Sequence, residues 1–390
     1  MKIIYCAVLA LLTSCASQNG VTPAPEGAVA SSSHHKLSYT PLWSNGQQIP
    51  ASFGNTNFGA SGPLYQGIPP LPTGATLAPV QTGLQYYFTG NPAVNIGWVD
   101  GNSSQGQYDY NFPVYQGGSN DQTVTIHCAS GGTCSDNGTT IQLPIWAAQA
   151  GGSDHHLAVL EAATGIEYDF WGVSSNPPYT WLENITASNE SKFNINGTNN
   201  GGYYVSPGFE YYASTAGGIG LSGGEVYISE LQQGIINHAL NLTFSCGTNS
   251  YVYPATQTSG QCSGGNGIPL GSRVWLSLSR AAIWALPVSK DMQTILVALH
   301  EYGGFYTDSG GGSGVNGSGT GFGVKFESQE PYWIWDNGSD PVSAYAIANS
   351  WPHVVNGSVN RYDVGSIGGS YVNLYSYLKL VAPCETQNNC

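Results

Sequence analysis

The chain has 390 residues, only 8% of them Asp, Glu, Lys or Arg, where a soluble domain typically carries about 25%. With 41% hydrophobic residues it is not a disordered polyelectrolyte, and long helices laced with ion pairs are excluded for want of charges. A net charge of −14 with 9 Lys and Arg leaves nothing to neutralise a phosphate backbone, which argues against a nucleic-acid partner.

Residues 1–15 read as an export signal: Lys2, a short apolar run from Ile3 to Leu12, then Leu12-Thr13-Ser14-Cys15. The run is too short to span a bilayer. Its closing tetrapeptide resembles a bacterial lipobox, which implies lipidation at Cys15 and a cell-surface or outer-membrane lipoprotein; the alternative is an ordinary cleaved signal and a secreted chain. Residues 16–35 are rich in Ser, Ala, Gly and Pro without periodicity and read as a flexible tether. Residues 36–83 read as an irregular arm rich in Pro and Gly. Residues 84–390 form the remaining domain.

That domain is a succession of short β-like runs punctuated by Gly, Asn, Ser and Pro, among them 123–127, 156–161, 166–171 and 224–228. The expectation is an all-β fold, a β-sandwich or jelly roll with one or two short helices. The run 156–161 and its return 166–171 form a hairpin, with Gly165 at the turn position that needs a positive φ. Strand alternation puts His156, Ala158 and Leu160 on one face and Leu157, Val159 and Glu161 on the other; Glu167 and Asp169 point together. One helix is predicted over 229–241, capped by Ser229 and weakened by Gly234. A second is predicted over 289–302, with Ser289 as cap, Asp291 in its first turn and Gly303-Gly304 at its end.

Six cysteines outside the leader fall into local pairs: Cys128 with Cys134, Cys246 with Cys262, and Cys384 with Cys390. In an exported chain such a set reads as disulfides rather than as metal ligands. No cofactor is called for. Calcium at Asp336-Asn337-Gly338-Ser339-Asp340 lacks the spacing of a recognised calcium loop. Asn-x-Ser/Thr triplets recur, as composition alone would produce.

The densest ionisable group is Asp154-His155-His156 with Glu161, Glu167 and Asp169. A second holds Glu225, Glu230 and His238, and a third holds His300, Glu301 and Asp308. His300-Glu301 is not a zincin motif, because position 304 is Gly. No phosphate-binding loop ends in Lys-Ser or Lys-Thr.

An ordered series of motifs runs through these groups. It comprises Gly152-Ser153-Asp154-x-His156, an apolar run to Glu161, Tyr168-Asp169, Glu230-x3-Gly234-x-Ile236-x-His238-Ala239-Leu240, Pro254-Ala255, Gly271-x-Arg273, and Leu299-x2-Tyr302-Gly303 leading to Asp308. Upstream, Phe112-Pro113-Val114-Tyr115 and Leu143-Pro144-Ile145 also fit. The series resembles a family of exported bacterial proteins of unassigned function, over roughly residues 110 to 340. Asn237 stands where the pattern usually has Asp, and Thr256 where it usually has Arg, so an ion pair between those positions is absent here. The resemblance favours Asp154, His156, Asp169, Glu230 and His238 over Glu161 and Glu167.

These residues suit a glycoside hydrolase, which sets two carboxyl groups across the scissile bond. Asp154 and Glu230 are the leading pair, Asp169 the alternate, with His156 and His238 holding ionisation states. Trp171, Trp181, Trp333 and Trp335 offer faces for sugar stacking. The scarcity of cations favours a neutral polysaccharide such as a β-glucan, and the narrowest reading is an endo-β-1,4-glucanase acting as a monomer at acidic pH. The competing readings are a non-catalytic carbohydrate-binding surface lipoprotein and a polysaccharide lyase.

Overall fold

The computed structural model describes residues 87, 98–101, 111–145, 147–151, 153–161, 164–174, 182–194, 213–258, 262, 265–309, 322–326, 328, 341–351, 353–356, 359–363 and 374–383. The chain divides into Met1–Tyr39 and Thr40–Cys390, and every described residue lies in the second unit. Outside the described residues lie the leader with Cys15, the tether, the arm, Trp181, Trp333, Trp335, the 336–340 segment, Cys384 and Cys390.

The strands are β1 (Trp98–Gly101), β2 (Val114–Gly117), β3 (Gln122–Thr133), β4 (Thr140–Leu143), β5 (Leu157–Glu161), β6 (Ile166–Trp171) and β7 (Ile185–Asn194). They continue as β8 (Leu240–Phe244), β9 (Arg273–Leu276), β10 (Gly304–Ser309), β11 (Gly323–Val324), β12 (His353–Asn356), β13 (Val359–Asp363) and β14 (Leu378–Val381). The fold is all-β, as its composition and turn spacing predict. Its two larger sheets run β2-β5-β6-β7-β3-β4 and β11-β8-β10-β9-β14, with a small sheet β1-β13-β12. Among the described strands three pairings are parallel: β2 with β5, β3 with β7, and β8 with β10. Parallel neighbours require crossovers, which a simple run of hairpins does not contain.

The predicted hairpin is β5–β6, with Leu157 opposite Phe170 and Glu161 opposite Ile166. Gly165 takes a φ of 69° at its turn, where the Thr164 hydroxyl donates to Glu161 Oε2 at 2.6 Å. Every residue of β5 is buried, the mark of a strand covered on both faces.

Among the described residues four helices accompany the strands: α1 (Ile228–Gln233), α2 (Arg280–Trp284), α3 (Lys290–Glu301) and α4 (Pro341–Ala348). α3 matches its prediction: Ser289 accepts from the Met292 amide and Gly303 follows with a φ of 73°. The helix predicted over 229–241 is shorter. α1 ends at Gly234, which takes the left-handed conformation at φ 73°, and the following chain becomes β8. Its N-cap is Tyr227 rather than Ser229. α2 and α4 were not anticipated; α2 is capped by Ser279, which accepts from the Ala282 amide at 3.3 Å.

Two of the three expected disulfides are present, Cys128–Cys134 and Cys246–Cys262. Disulfides of this kind fit an oxidising, non-cytoplasmic setting. No described helix is long and apolar enough to cross a membrane.

The segment 213–226 is the seam between the two large sheets. Its Ala213, Leu221 and Ser222 amides donate to Ser191, Asp169 and Glu167 on the six-stranded sheet. On the other side the Gly217 amide donates to the Thr307 carbonyl and Gly224 accepts from the Asn241 amide. Gly224 has a φ of 77°, and a Cβ there would stand 2.8 Å from the Asn241 nitrogen, so only glycine allows this approach.

Candidate functional site

Three chemically active side chains converge from distant parts of the chain beside this seam. His156 precedes β5, Asp308 lies in β10, and Lys325 follows β11. A bulge in the β8–β10 ladder sets Asp308: Tyr306 pairs with Leu242 and Asp308 with Thr243, leaving Thr307 as the extra residue. Thr307 turns inward and donates to Asn241 Oδ1, and the neighbouring Asp308 side chain is thereby re-aimed. Lys325 is held by its backbone, whose amide donates to the Asn241 carbonyl and whose carbonyl accepts from the Val226 amide.

Lys325 Nζ stands 3.8 Å from Asp308 Oδ2 and 4.2 Å over the Phe112 ring. Phe112 in turn meets the His156 ring edge-on at 5.1 Å. Asp308 Oδ1 accepts from the Ser309 amide at 2.9 Å and the Ala216 amide at 3.3 Å. The Asp308 side chain keeps 22% of its surface exposed, so this corner opens to solvent. Phe112 is fixed from beneath, because its amide donates to the buried Glu225 at 3.0 Å.

Burial lowers the His156 pKa, and Lys325 adds to that; Asp308, Asp154 and a hydrogen bond to the Phe170 backbone oppose it without reversing it. The imidazole is therefore neutral at neutral pH. Its Nδ1 is buried and has no hydrogen-bond partner among the described residues. His155, beside it, adopts a φ of 46°, sparsely populated for a residue with a Cβ. The kink lets Asp154 and His155 accept from the Gly172 and Val173 amides just beyond β6. Asp154 and the half-buried Trp171 thus share one end of the hairpin.

The other sequence candidates sit elsewhere. Glu230 and His238 do meet, at 3.1 Å between Oε1 and Nε2, both buried. Glu230 Oε2 accepts from the Tyr227 amide, closing a capping box at the start of α1. His238 Nδ1 lies 2.8 Å from the Ala239 carbonyl. Burial lowers the His238 pKa, but Glu230 outweighs it and the net shift is upward. With both oxygens engaged, Glu230 joins helix α1 to the chain that leads into β8. Asp169 pairs with Glu167 instead. Both are fully buried on one face of β6, where burial raises each pKa and Glu167 pushes Asp169 further up. The grouping of His300 and Glu301 with Asp308 does not form: His300 Nδ1 lies 3.0 Å from the Leu276 carbonyl, and Glu301 faces Arg280 at 3.7 Å.

Sequence reasoning missed the cluster of Asp136, Glu190 and Lys192. Lys192 Nζ lies 2.6 Å from Asp136 Oδ2, and Glu190 Oε2 accepts from the Asp136 amide at 3.2 Å. Burial and then the Asp136 carboxyl push Glu190 up to about 8. Against burial, Glu190 and Lys192 pull the Asp136 pKa down. The alternation of Glu190 and Lys192 on β7 was the available signal. Among the described residues no three His, Cys, Asp or Glu side chains are placed to hold a metal ion.

No family model matches the chain, no curated protein matches it, and no solved structure matches it.

Proposed function

We propose that this protein is an exported glycan-cleaving hydrolase whose reacting groups are Asp154, His156 and Asp308. The observation that carries the reading is the neutral, Nδ1-unpaired His156 held beside two carboxyl groups and Lys325 at a corner open to solvent. Glycoside hydrolysis needs one carboxyl group as acid and another as nucleophile or as base for water. Asp154 and Asp308 replace Asp154 and Glu230 as the pair, because Glu230 is engaged in capping. Trp171 supplies a ring at the same end of the hairpin, and the scarcity of cations favours a neutral β-glucan cleaved at acidic pH. The test is release of reducing ends from β-glucan, xylan and mannan by the wild type, Asp154→Asn and Asp308→Asn. Loss of release in both variants, with far-UV circular dichroism unchanged, is the expected result. Glycan binding by the wild type without release makes it a binding protein instead.

The neutral imidazole beside Lys325 also suits a lyase, in which His156 abstracts a proton and Lys325 neutralises a uronate. Ultraviolet absorbance from an unsaturated uronate product, with no release from neutral glycans, decides for that chemistry.

A further inference from the structure

We propose that Glu167 and Asp169 hold a single proton between them, and that this proton latches the segment 213–222 onto β6. The two side chains project from the same face of the strand and are both 0% exposed. Each Glu167 oxygen has a donor and a lone pair to spare: Oε1 accepts from the Ser222 amide at 2.9 Å and Oε2 from the Ser222 hydroxyl at 2.8 Å. Asp169 Oδ2 accepts from the Leu221 amide at 3.0 Å, but Asp169 Oδ1 is buried and finds no donor among the described residues. A buried carboxylate oxygen without a donor is costly, whereas a carboxylic acid needs only an acceptor. The Glu167 carboxylate, two residues away on the same buried face of β6, is the acceptor at hand. Asp169 therefore carries the proton and donates it.

Among the described residues that face the pair, none carries a charge to balance two negative ones. Across β5 the pair faces Ala158 and Leu160, and across β7 it faces Ser191 and Phe193. From the seam it faces Gly220, Leu221 and Ser222, and no charged group stands among these. A Cβ at Gly220 would stand 3.0 Å from Glu167 Oε1, closer than ordinary contact, so the glycine lets the segment lie tightly against the pair. When the proton leaves to solvent the pair goes from one negative charge to two in an apolar site, and the latch loses its hydrogen bond and gains repulsion.

The latch extends toward the candidate site. Within the same segment Thr215 accepts from the Gly218 amide and its hydroxyl donates to the Ile219 carbonyl, making a compact turn. That turn presents the Ala216 amide to Asp308 Oδ1. Glu167 and Asp169 are thus positioning residues for Asp308; this consequence rests on the function proposed above, while the latch itself does not.

The experiment is carbon-13 NMR of the full chain labelled at aspartate carboxyl carbons, with thermal unfolding measured across pH. The expected result is one aspartate that keeps the chemical shift of a protonated acid at neutral pH and disappears in Asp169→Asn. That variant supplies a permanent amide donor, so its unfolding midpoint should fall on the alkaline side by no more than half of the wild-type fall. Ser222→Ala removes one donor but not the proton, so the protonated resonance should persist in it. A wild type with every aspartate ionised at neutral pH overturns the proposal, whether or not the variants fold. An Asp169→Asn variant with the wild-type alkaline profile overturns it too. Failure of the glycan assay alongside a protonated Asp169 removes the assigned function and leaves the latch in place.

Discussion

Glu190→Gln makes a buried acid permanently neutral at a place where its ionisation has a calculable cost. Burial and the Asp136 carboxyl move Glu190 from 4.5 to about 8. Between those values the folded chain keeps the proton that the unfolded chain has released. The folded state then binds more protons, so stability is full below the unfolded value and is lost as pH rises through the folded one. At roughly 1.4 kcal/mol per pH unit the ceiling is about 5 kcal/mol. Screening at the partly exposed Asp136–Lys192 pair reduces the expected difference to about 2 kcal/mol. The glutamine amide can donate to Asp136 as the protonated acid does, and its oxygen can accept from the Asp136 amide. Urea unfolding should therefore show wild type and variant nearly equal at about pH 4, with the variant about 2 kcal/mol more stable at about pH 9. Parallel stability curves, or a variant weaker at every pH, would refute the reasoning by showing that Glu190 holds no proton in the folded state.

Three further outcomes follow from the contacts described. His238→Ala leaves Glu230 buried without its partner and should cost about 3 kcal/mol in urea unfolding. Because the His238 pKa is raised, the pair's stabilisation is full below the imidazole's unfolded value of 6.5 and fades as pH rises through the folded one, so the variant's deficit should shrink at alkaline pH. Replacing both Cys246 and Cys262 with Ser opens a closure of 16 residues and should lower stability by about 3 kcal/mol in the same assay. Gly271→Ala places a Cβ 1.8 Å from the Val252 carbonyl at a φ of 84°, and the variant should lose at least ~3 kcal/mol or fail to accumulate as folded protein.

What the sequence discloses is what lies close along the chain. The β5–β6 hairpin was readable because Gly165 marks its turn and its apolar residues alternate around it. The α3 helix was readable because Ser289, Asp291 and Gly303 punctuate it. α1 was overextended: the apolar run after Gly234 fits either a helix or a buried strand, and pairing with β10 and β11 decides for the strand. The pair Glu230–His238 stood out at a spacing of eight residues, but its structural role depends on the capping box, which needs Tyr227 in an extended conformation. The corner of His156, Asp308 and Lys325 was not legible as a group, since its members come from two different sheets and are brought together across the seam. The bulge at Thr307, which aims Asp308, leaves no mark in a chain without a strict alternating pattern there. Glu167 was set below Asp169 on resemblance, yet the two act as one unit.

The scarcity of cations explains why the buried acids take the forms they do. With 9 Lys and Arg against 23 Asp and Glu, most acids lack a cationic partner. Where a base is at hand the acid uses it, as at Glu230–His238, Asp308–Lys325 and Asp136–Lys192. Where none is, two acids face each other, as at Glu167–Asp169, and where one base serves two acids, as Lys192 does beside Asp136 and Glu190, the second acid is pushed up. Facing acids are stable while a proton remains between them, so their contribution is intact in acid and declines with rising pH. The depressed pKa values of Asp136 and His156 have the opposite sign, and their contributions are lost as pH falls, but they are two groups against the raised Asp121, Glu167, Asp169, Glu190 and His238. Acid self-repulsion is also limited, since full protonation leaves 9 Lys and Arg plus 8 His, a charge of +17 over 390 residues. The balance places the stability maximum on the acid side of neutrality. At a temperature where the chain is folded at about pH 7 it should stay folded at about pH 3, as read by circular dichroism in the near ultraviolet. Unfolding at the lower pH alone would mean that the paired acids outweigh the facing ones and that the sign of the argument is wrong.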